Sequence, residues 1–90
     1  MKLIGKRHVA EFDGPLMAKR RLSLWCREVA MAKWRSLEDL QAEHRRASAV
    51  EGNLVRFDFD GQSVFVEVAI SFVASVVLIE KVAYLPAQAA

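Results

Sequence analysis

Apolar residues occupy every second position from Val55 to Phe59, a period that predicts a strand with one face on a core and one face in water. Asp60-Gly61 follows and is a strong signal for a hairpin turn. The same period continues over residues 64–72, and a turn at Ala74-Ser75 precedes a third apolar run over residues 76–82. The second half of the chain is therefore predicted to be a three-stranded antiparallel meander.

The first half of the chain follows the three- and four-residue spacing that is typical of helices. Val9 and Phe12 predict one helical turn after a short opening strand at Leu3-Ile4. Asp13-Gly14-Pro15 interrupts this pattern, and Pro15 suits the first position of a new helix. A long helix with one buried face is then predicted from four spaced apolar residues, Leu22, Trp25, Val29 and Ala32.

A second helix is predicted to begin at Ser36, because an acidic residue follows three positions later in Ser36-Leu37-Glu38-Asp39, the pattern of a capping box. Leu37 and Leu40 supply its apolar face, and the helix is expected to fade near Arg45-Arg46. Since helices precede the meander, we predict one α+β domain over residues 1–90, with N-terminal helices packed on a small antiparallel sheet.

Composition limits the class of protein. Of the 90 residues, 53% are apolar and 27% are charged, which suits a globular domain with one modest core. Cys26 has no cysteine partner, so the sequence offers no disulfide framework and fits a reducing cytoplasm. The first residues lack the apolar stretch of a signal peptide, and the run from Val64 to Ile79 is too short to cross a bilayer. We expect a soluble cytoplasmic protein with no membrane partner.

Charge is distributed unevenly along the chain. The net formal charge is +2, yet residues 1–50 carry eleven Lys and Arg against six Asp and Glu, whereas residues 51–90 carry two against five. The first half is therefore basic and the second half acidic. Phosphate contacts supply much of the affinity for nucleic acids, so an RNA-binding surface has to come from the first half. The candidate phosphate ligands are Lys19, Arg20, Arg21, Arg45 and Arg46, although such runs also occur as solvated helix ends.

Spacing alone identifies no active site. His8 and His44 are far apart and Cys26 has no cysteine partner, so neither a metal site nor another cofactor is predicted. Asp58 and Asp60 share one strand face, a spacing that suits acid–base chemistry and also a solvated strand leading into a turn.

The tryptophans and the cysteine also have two interpretations. Trp25 and Trp34 could stack against bases, but Trp25 lies on the buried stripe and Trp34 at the predicted end of the long helix, which favours the core. Cys26 lies one residue from that stripe. A packed thiol is favoured over a nucleophile, because nothing nearby in the sequence marks a base.

A longer pattern points to a family. Its parts are Leu22-x-x-Trp25-x-x-Glu28-Val29, Ala32-Lys33-Trp34-Arg35-Ser36, Asp39-Leu40, Ala47-Ser48, Gly52-Asn53, Phe57, Gly61 and Ala69-Ile70. With the opening Met1-Lys2-Leu3-Ile4 and with Glu11-Phe12, this pattern resembles the HigB-type toxins of the RelE superfamily as far as about Val82. The resemblance implies helices on an antiparallel sheet, cleavage of mRNA on a translating ribosome without a metal, and silencing by a helix-turn-helix antitoxin.

The sequence departs from this family where the family's sheet holds the scissile phosphate. Leu54 stands where an arginine is usual, Ser63-Val64-Phe65 replaces a lysine-tyrosine-arginine run, and Glu80 replaces another arginine. Tyr84-Leu85 stands in place of a closing threonine-histidine pair. Since a missing cation at a reacting phosphate removes a large stabilisation of the transition state, the resemblance implies the fold but not the inherited chemistry.

Two functions therefore stay open. An active ribonuclease would need a rebuilt site, for which the candidate catalytic residues are Arg56, His44, Asp58 and Tyr84. His44 suits proton transfer near neutral pH, although its spacing from Leu40 also fits the end of a buried helix face. The alternative is a nuclease-dead protein that binds an antitoxin, or inhibits a host or defence complex, by protein contact. The sequence leaves the oligomeric state open.

Overall fold

The computed structural model describes residues 1–59 and 64–84. In chain order its elements are β1 Lys2–Ile4, α1 Arg7–Ala10, α2 Leu16–Met31, α3 Leu37–Glu43, β2 Ala47–Glu51, β3 Leu54–Phe59, β4 Val64–Ser71 and β5 Val76–Tyr84. The α+β class predicted from the sequence is confirmed. The hairpin predicted at Asp60-Gly61 lies outside the described residues.

Five strands form one sheet in the order β1-β5-β4-β3-β2. The meander of β3, β4 and β5 is antiparallel, as predicted, while β2 pairs antiparallel with β3 and β1 runs parallel to β5. The sequence pattern did not predict β2, because its residues are mostly small and only Ala47 among them is buried. The sheet is thus wider than the meander by one strand at each edge.

The helices pack on one face of the sheet, and the predicted apolar stripes meet there. The core joins Leu22, Trp25 and Val29 of α2 to the inward residues of the strands, including Phe57 and Val66. The ring of Trp25 meets that of Phe57 at 5.3 Å in an edge-on arrangement, a favourable geometry for aromatic pairs. The opposite face of the sheet, which we call the outer face, carries Arg56, Asp58, Phe65, Glu67 and Lys81.

The long helix α2 differs slightly from its predicted bounds. Pro15 is the N-cap rather than the first helical residue, and the helix ends at Met31 because Ala32 adopts an extended backbone. Its charged residues Lys19, Arg20, Arg21 and Arg27 are exposed. Among the residues that the structure describes, no helix is long and apolar enough to cross a membrane.

The predicted capping of α3 is confirmed. The Ser36 hydroxyl accepts a hydrogen bond from the Asp39 backbone nitrogen at 3.2 Å, and the Asp39 carboxylate accepts one from the Arg35 backbone nitrogen at 3.0 Å. Trp34 was wrongly predicted to end the preceding helix, since it lies in the connection between α2 and α3. It is buried there, with its ring stacked 6.3 Å from that of Phe57.

Gly5 allows the chain to turn sharply from β1 into α1. Its φ angle of +92° is in the region that favours glycine. A Cβ atom at this position would lie 3.0 Å from the carbonyl oxygen of Ile79. A glycine at this position therefore lets the connection pass close beside β5.

Candidate functional site

A cleft of about 180 Å³ lies at the edge of the sheet, where β3 extends past the first residue of β2. Its charged and titratable lining consists of Arg21, His44, Arg45, Arg46 and Asp58. These residues come from α2, from the segment between α3 and β2, and from β3. A water molecule occupies about 30 Å³ in the liquid, so the cleft accommodates a group the size of a phosphodiester.

Arg21 reaches the cleft from one side of α2. Its guanidinium lies 5.3 Å from the ring centroid of Phe59, at the end of β3. One guanidinium nitrogen is also 3.6 Å from the carboxylate of Glu28, two turns further along the same helix. Arg21 is exposed, so it brings a positive charge to the mouth of the cleft while its position is restricted by these two contacts.

His44 is held firmly at the end of α3. Its backbone nitrogen donates to the carbonyl oxygen of Leu40 at 2.8 Å, and its own carbonyl oxygen accepts from the backbone nitrogen of Ala47 at 3.0 Å. The imidazole meets the rings of Trp34 and Phe57 edge-on, at 5.5 and 5.3 Å. These contacts fix His44 between the core and the cleft.

The surroundings of His44 favour its neutral form. Burial lowers the pKa of the His44 imidazole below its ordinary value, and the charge of Arg21 lowers it further, while Glu28 and Glu43 oppose the shift. The carboxylate of Glu43 accepts a hydrogen bond from the indole nitrogen of Trp34. A neutral imidazole at neutral pH can accept a proton, so His44 is competent as a general base.

Asp58 connects the cleft with the outer face. Its carboxylate accepts a hydrogen bond from Nε of Arg56 at 2.9 Å, and it also lines the cleft. The guanidinium of Arg56 lies 4.1 Å from the ring centroid of Phe65, a cation–π contact, and Lys81 approaches the same ring at 5.6 Å. Phe65 is buried under these cations although it points away from the helices.

The charges of the outer face are balanced across the strands. Arg56 is in register with Glu67, and Glu67 is in register with Lys81. Phe65 occupies a position at which the resemblance implies a phosphate-binding arginine, and Glu80, at another, is exposed on β5. Arg56 and Lys81 of the outer face therefore cover the ring of Phe65, whereas three arginines and one histidine line the open volume of the cleft.

The structure brings some of the predicted site residues together and leaves others apart. His44, Asp58, Arg21, Arg45 and Arg46 line the cleft. Lys19 and Arg20 are exposed on α2 and are not among its lining residues, and Arg56 reaches it only through Asp58. Tyr84 packs against Phe12 at 5.3 Å, and its hydroxyl donates to the carbonyl oxygen of Asp13 at 3.3 Å.

Three other candidate residues, Trp25, Trp34 and Cys26, belong to the buried core. Trp25 and Trp34 are both buried, so their interpretation as core residues is confirmed. Burial raises the pKa of the Cys26 thiol, an effect that Lys6 partly opposes, and the thiol stays protonated at neutral pH. Within residues 1–59 and 64–84, no three His, Cys, Asp or Glu side chains are grouped so that they could hold a metal ion.

The sequence analysis did not identify the residues that shift the pKa of His44 or those that enclose its ring. Glu28 and Glu43 act on its charge, and Trp34 and Phe57 enclose its ring. The seven-residue spacing of Arg21 and Glu28 on one helix was the one feature of the sequence that could have indicated the role of Glu28. No local signal places Phe57 beside His44, because that contact depends on how the sheet packs.

Comparison with known proteins places this fold in a family. No curated protein matches the chain. A family model described as the RelE-like toxic component of a toxin-antitoxin system, the HigB toxin, matches residues 18–83. The match begins in α2 and ends in β5, so it spans the cleft and most of the sheet. The chain therefore belongs to the HigB family of RelE-like toxins, the toxic components of toxin-antitoxin systems.

Proposed function

We propose that this toxin is an endoribonuclease that cuts mRNA in the cleft, acting in the cytoplasm on translating ribosomes and needing no metal. The observation that supports this proposal is the convergence of His44 with Arg21, Arg45 and Arg46 in one cleft. Three arginines supply the positive charge that phosphoryl chemistry requires. An activity of this kind would account for the family's toxic role, and its antitoxin is proposed to be a helix-turn-helix protein.

The proposed reaction begins at the ribose next to the scissile phosphate. Neutral His44 accepts the proton of the 2′-hydroxyl, and the 2′-oxygen forms a bond to phosphorus. The bond from phosphorus to the 5′-oxygen then breaks, and the imidazolium returns the proton to that departing oxygen. The products are a 2′,3′-cyclic phosphate and a 5′-hydroxyl, with one histidine serving as both base and acid.

The arginines act on the charge of the phosphate. As the 2′-oxygen attacks, negative charge accumulates on the two non-bridging oxygens, and guanidinium groups stabilise it through short charge-assisted hydrogen bonds. Arg45 and Arg46 follow His44 directly in the chain, while Arg21 faces them from α2. The proposed phosphate binds between these cations.

Asp58 and Arg56 are proposed to position the substrate rather than transfer protons. The carboxylate of Asp58 is oriented by Nε of Arg56 at 2.9 Å, and its second oxygen is available to accept from the ribose. Tyr84 has no step in this scheme, because its hydroxyl is bonded to the carbonyl oxygen of Asp13.

A second function is favoured by the outer face. Arg56 is engaged by Asp58 and Phe65, and the positions of Leu54, Phe65 and Glu80 hold no cation. A HigB-family protein whose sheet has lost these charges could bind an antitoxin, or inhibit a host or defence complex, without cutting RNA. The two functions differ in whether RNA is cleaved at all.

The test is tightly controlled expression in bacterial cells, with growth recorded and the 5′ ends of translated mRNAs mapped. The wild type is expected to arrest growth and to create new ends inside coding regions. Arg45→Ala/Arg46→Ala is expected to remove both effects, because it removes two of the cations that face the phosphate. The control Lys33→Ala/Arg35→Ala removes the same charge outside the cleft and is expected to behave as the wild type.

Three results would contradict a ribonuclease that cuts RNA in the cleft. Normal growth with intact messages would favour the second function. Arrest without new 5′ ends would indicate that the protein blocks its target by binding. Cleavage that survives Arg45→Ala/Arg46→Ala would move the chemistry away from the cleft.

A further inference from the structure

A groove of about 340 Å³ lies between α1 and α2, apart from the cleft. It is open because α1 is a four-residue helix with no buried residue, which lies on α2 without filling the space between them. Several of the side chains at this contact are small, which leaves further room. The residues that line this α1–α2 groove are Lys6, Val9, Ala10, Ser23, Cys26 and Arg27, and none of them lines the cleft.

The floor of the α1–α2 groove is apolar. Val9 packs against the core, Ala10 contributes a methyl group, and the thiol of Cys26 lies at the edge of the core. Burial raises the pKa of this thiol, so it stays protonated at neutral pH, and a buried thiol packs as a small apolar group. The floor therefore offers contacts to an apolar ligand and carries no charge.

Two cations lie beside this floor. Lys6 and Arg27 are both exposed, and neither forms an ion pair with a carboxylate in the part of the chain that the structure describes. The charge of Lys6 opposes the effect of burial on the pKa of Cys26, as expected of an ammonium group beside the groove. Ser23 adds a hydroxyl group, and no acidic residue is among the lining residues.

This combination of features selects a ligand by charge and polarity. An inorganic anion would contact the cations and leave the floor in water, while an alkylammonium ion would meet like charge. A carboxylate on a short apolar chain uses both features, because guanidinium and ammonium groups bind carboxylates through charge-assisted hydrogen bonds and the chain removes water from the floor. Ligand pockets have volumes of about 300–1,000 Å³, so the groove suits a small molecule.

We propose that the α1–α2 groove is a binding site for a small apolar monocarboxylate. Lys6 and Arg27 bind its carboxylate, and Val9, Ala10 and Cys26 contact its chain. Such a ligand touches both helices, so it stabilises the folded protein by mass action. The proposal does not depend on RNA cleavage, since the groove and the cleft share no residue.

The test titrates the full-length protein with octanoate and follows the NMR chemical shifts of its backbone amides. Octanoate is expected to bind with a Kd in about the millimolar range, as suits a ligand of this size, and to shift the amides of Val9, Ala10 and Cys26. Octylammonium has the same chain and the opposite charge, and it is expected to bind at least about tenfold more weakly. Hexanoate is expected to bind about 15-fold more weakly than octanoate, since each buried CH₂ group contributes a factor of about four.

Two variants separate the charge of the groove from its volume. Lys6→Gln/Arg27→Gln is expected to remove the preference for octanoate over octylammonium, because it removes both cations. Ala10→Phe is expected to prevent the binding of octanoate, because the ring fills the groove.

Each variant has a matched control. Lys33→Gln/Arg35→Gln removes the same charge outside the groove, and Ala30→Phe places the same ring at an exposed position near the end of α2. Both controls are expected to bind octanoate as the wild type does. Circular dichroism checks that all four variants are folded.

The proposal is overturned if octanoate causes no saturable shifts, if octylammonium binds as tightly, or if Lys6→Gln/Arg27→Gln keeps the preference for octanoate. It is also overturned if inorganic phosphate or hexanoate binds as tightly as octanoate, since the apolar floor would then contribute nothing. Shifts confined to His44, Arg45 and Arg46 would place the ligand in the cleft instead. An RNA oligonucleotide that displaces octanoate from the groove would assign the two cations to nucleic acid.

Discussion

The cleft and the outer face lie on either side of Asp58, yet their positive charges have different surroundings. In the cleft, Arg21, Arg45 and Arg46 line the same volume as His44, whose pKa is lowered by burial. On the outer face, Arg56 is bonded to Asp58 and covers the ring of Phe65. The cleft cations line an open volume, whereas Arg56 and Lys81 cover an aromatic ring of the sheet.

Membership in the family therefore does not determine in which of the two regions the site lies. The HigB family match covers both regions, but the physical chemistry of the side chains differs between them. Positive charge that the sheet lacks at Phe65 and Glu80 is present in the segment that precedes β2. Variants that remove or restore charge in one region at a time can test which of the two regions binds RNA.

The largest effect is expected from His44→Gln. Removing the base should lower the rate of RNA cleavage by about 10²–10⁴-fold, because glutamine cannot accept the proton of the 2′-hydroxyl. The wild-type rate should rise with pH along an acid limb whose midpoint lies below the ordinary histidine value, since burial lowers the pKa of His44. Cleavage of a labelled RNA oligonucleotide, followed from pH 5 to 8, measures both quantities.

The control for His44→Gln is a thermal melt of the same samples. A folded variant that cleaves at the wild-type rate would remove His44 from the chemistry. An acid limb that persists in His44→Gln would assign the titrating base to another residue.

The next effect is on stability rather than on catalysis. Arg56→Ala removes the cation from above Phe65 and the hydrogen bond to Asp58, so it should lower the free energy of unfolding by about 1 kcal/mol. Urea denaturation measures this loss. Cleavage at a temperature where the variant is folded should fall much less than in His44→Gln, because Arg56 acts on the substrate only by orienting Asp58.

Arg56→Lys provides the matched comparison, since it keeps the positive charge and loses the planar guanidinium and its Nε donor. Its stability is expected to lie between those of the wild type and Arg56→Ala. If Arg56→Ala instead abolishes cleavage as completely as His44→Gln, the reacting phosphate binds on the outer face and the comparison of the two regions fails.

Much of the fold could be predicted from the sequence because its signals are local. The period of two indicated β3 and β4, an apolar run after a turn indicated β5, and the Ser36 cap marked the start of α3. Strand β2 was missed because residues 47–51 are mostly small and form an exposed edge. The parallel pairing of β1 with β5 joins residues that are far apart in the chain, so no local pattern could indicate it.

The candidate site was predictable only in part for the same reason. His44, Arg45 and Arg46 are neighbours in the sequence, and their chemistry is visible there. Arg21 and Asp58 join them because Arg21 of α2 lies over the ring of Phe59 at the end of β3, a contact that the spacing of residues does not contain. The lowered pKa of His44 depends on burial beside Phe57, which is also a result of packing.

A smaller effect is expected in the dependence of stability on pH. In the unfolded chain His44 is protonated with its ordinary pKa of about 6.5. In the folded protein burial lowers the pKa of His44, so the imidazole is protonated only at a lower pH. His44 therefore contributes its full stability above about pH 6.5 and loses it as the pH falls. Urea denaturation at pH 7.5 and 5.5 should show a greater loss for the wild type than for His44→Gln, and equal losses would contradict the burial of His44.

The smallest effect is expected from Glu80→Arg, which returns a cation to the outer face. If RNA binds only in the cleft, its affinity in a fluorescence assay should change by less than about threefold, as screened surface charges produce at moderate salt. Each additional phosphate of a single strand that a cation neutralises adds about 0.7 to the slope of log K against log salt, so the slope should stay unchanged. Glu11→Arg makes the same change in charge just after α1, and the two variants should be indistinguishable. A steeper salt dependence in Glu80→Arg alone would mean that RNA crosses the outer face as well, because an arginine displaces the counterions of a phosphate only when it binds close to that phosphate.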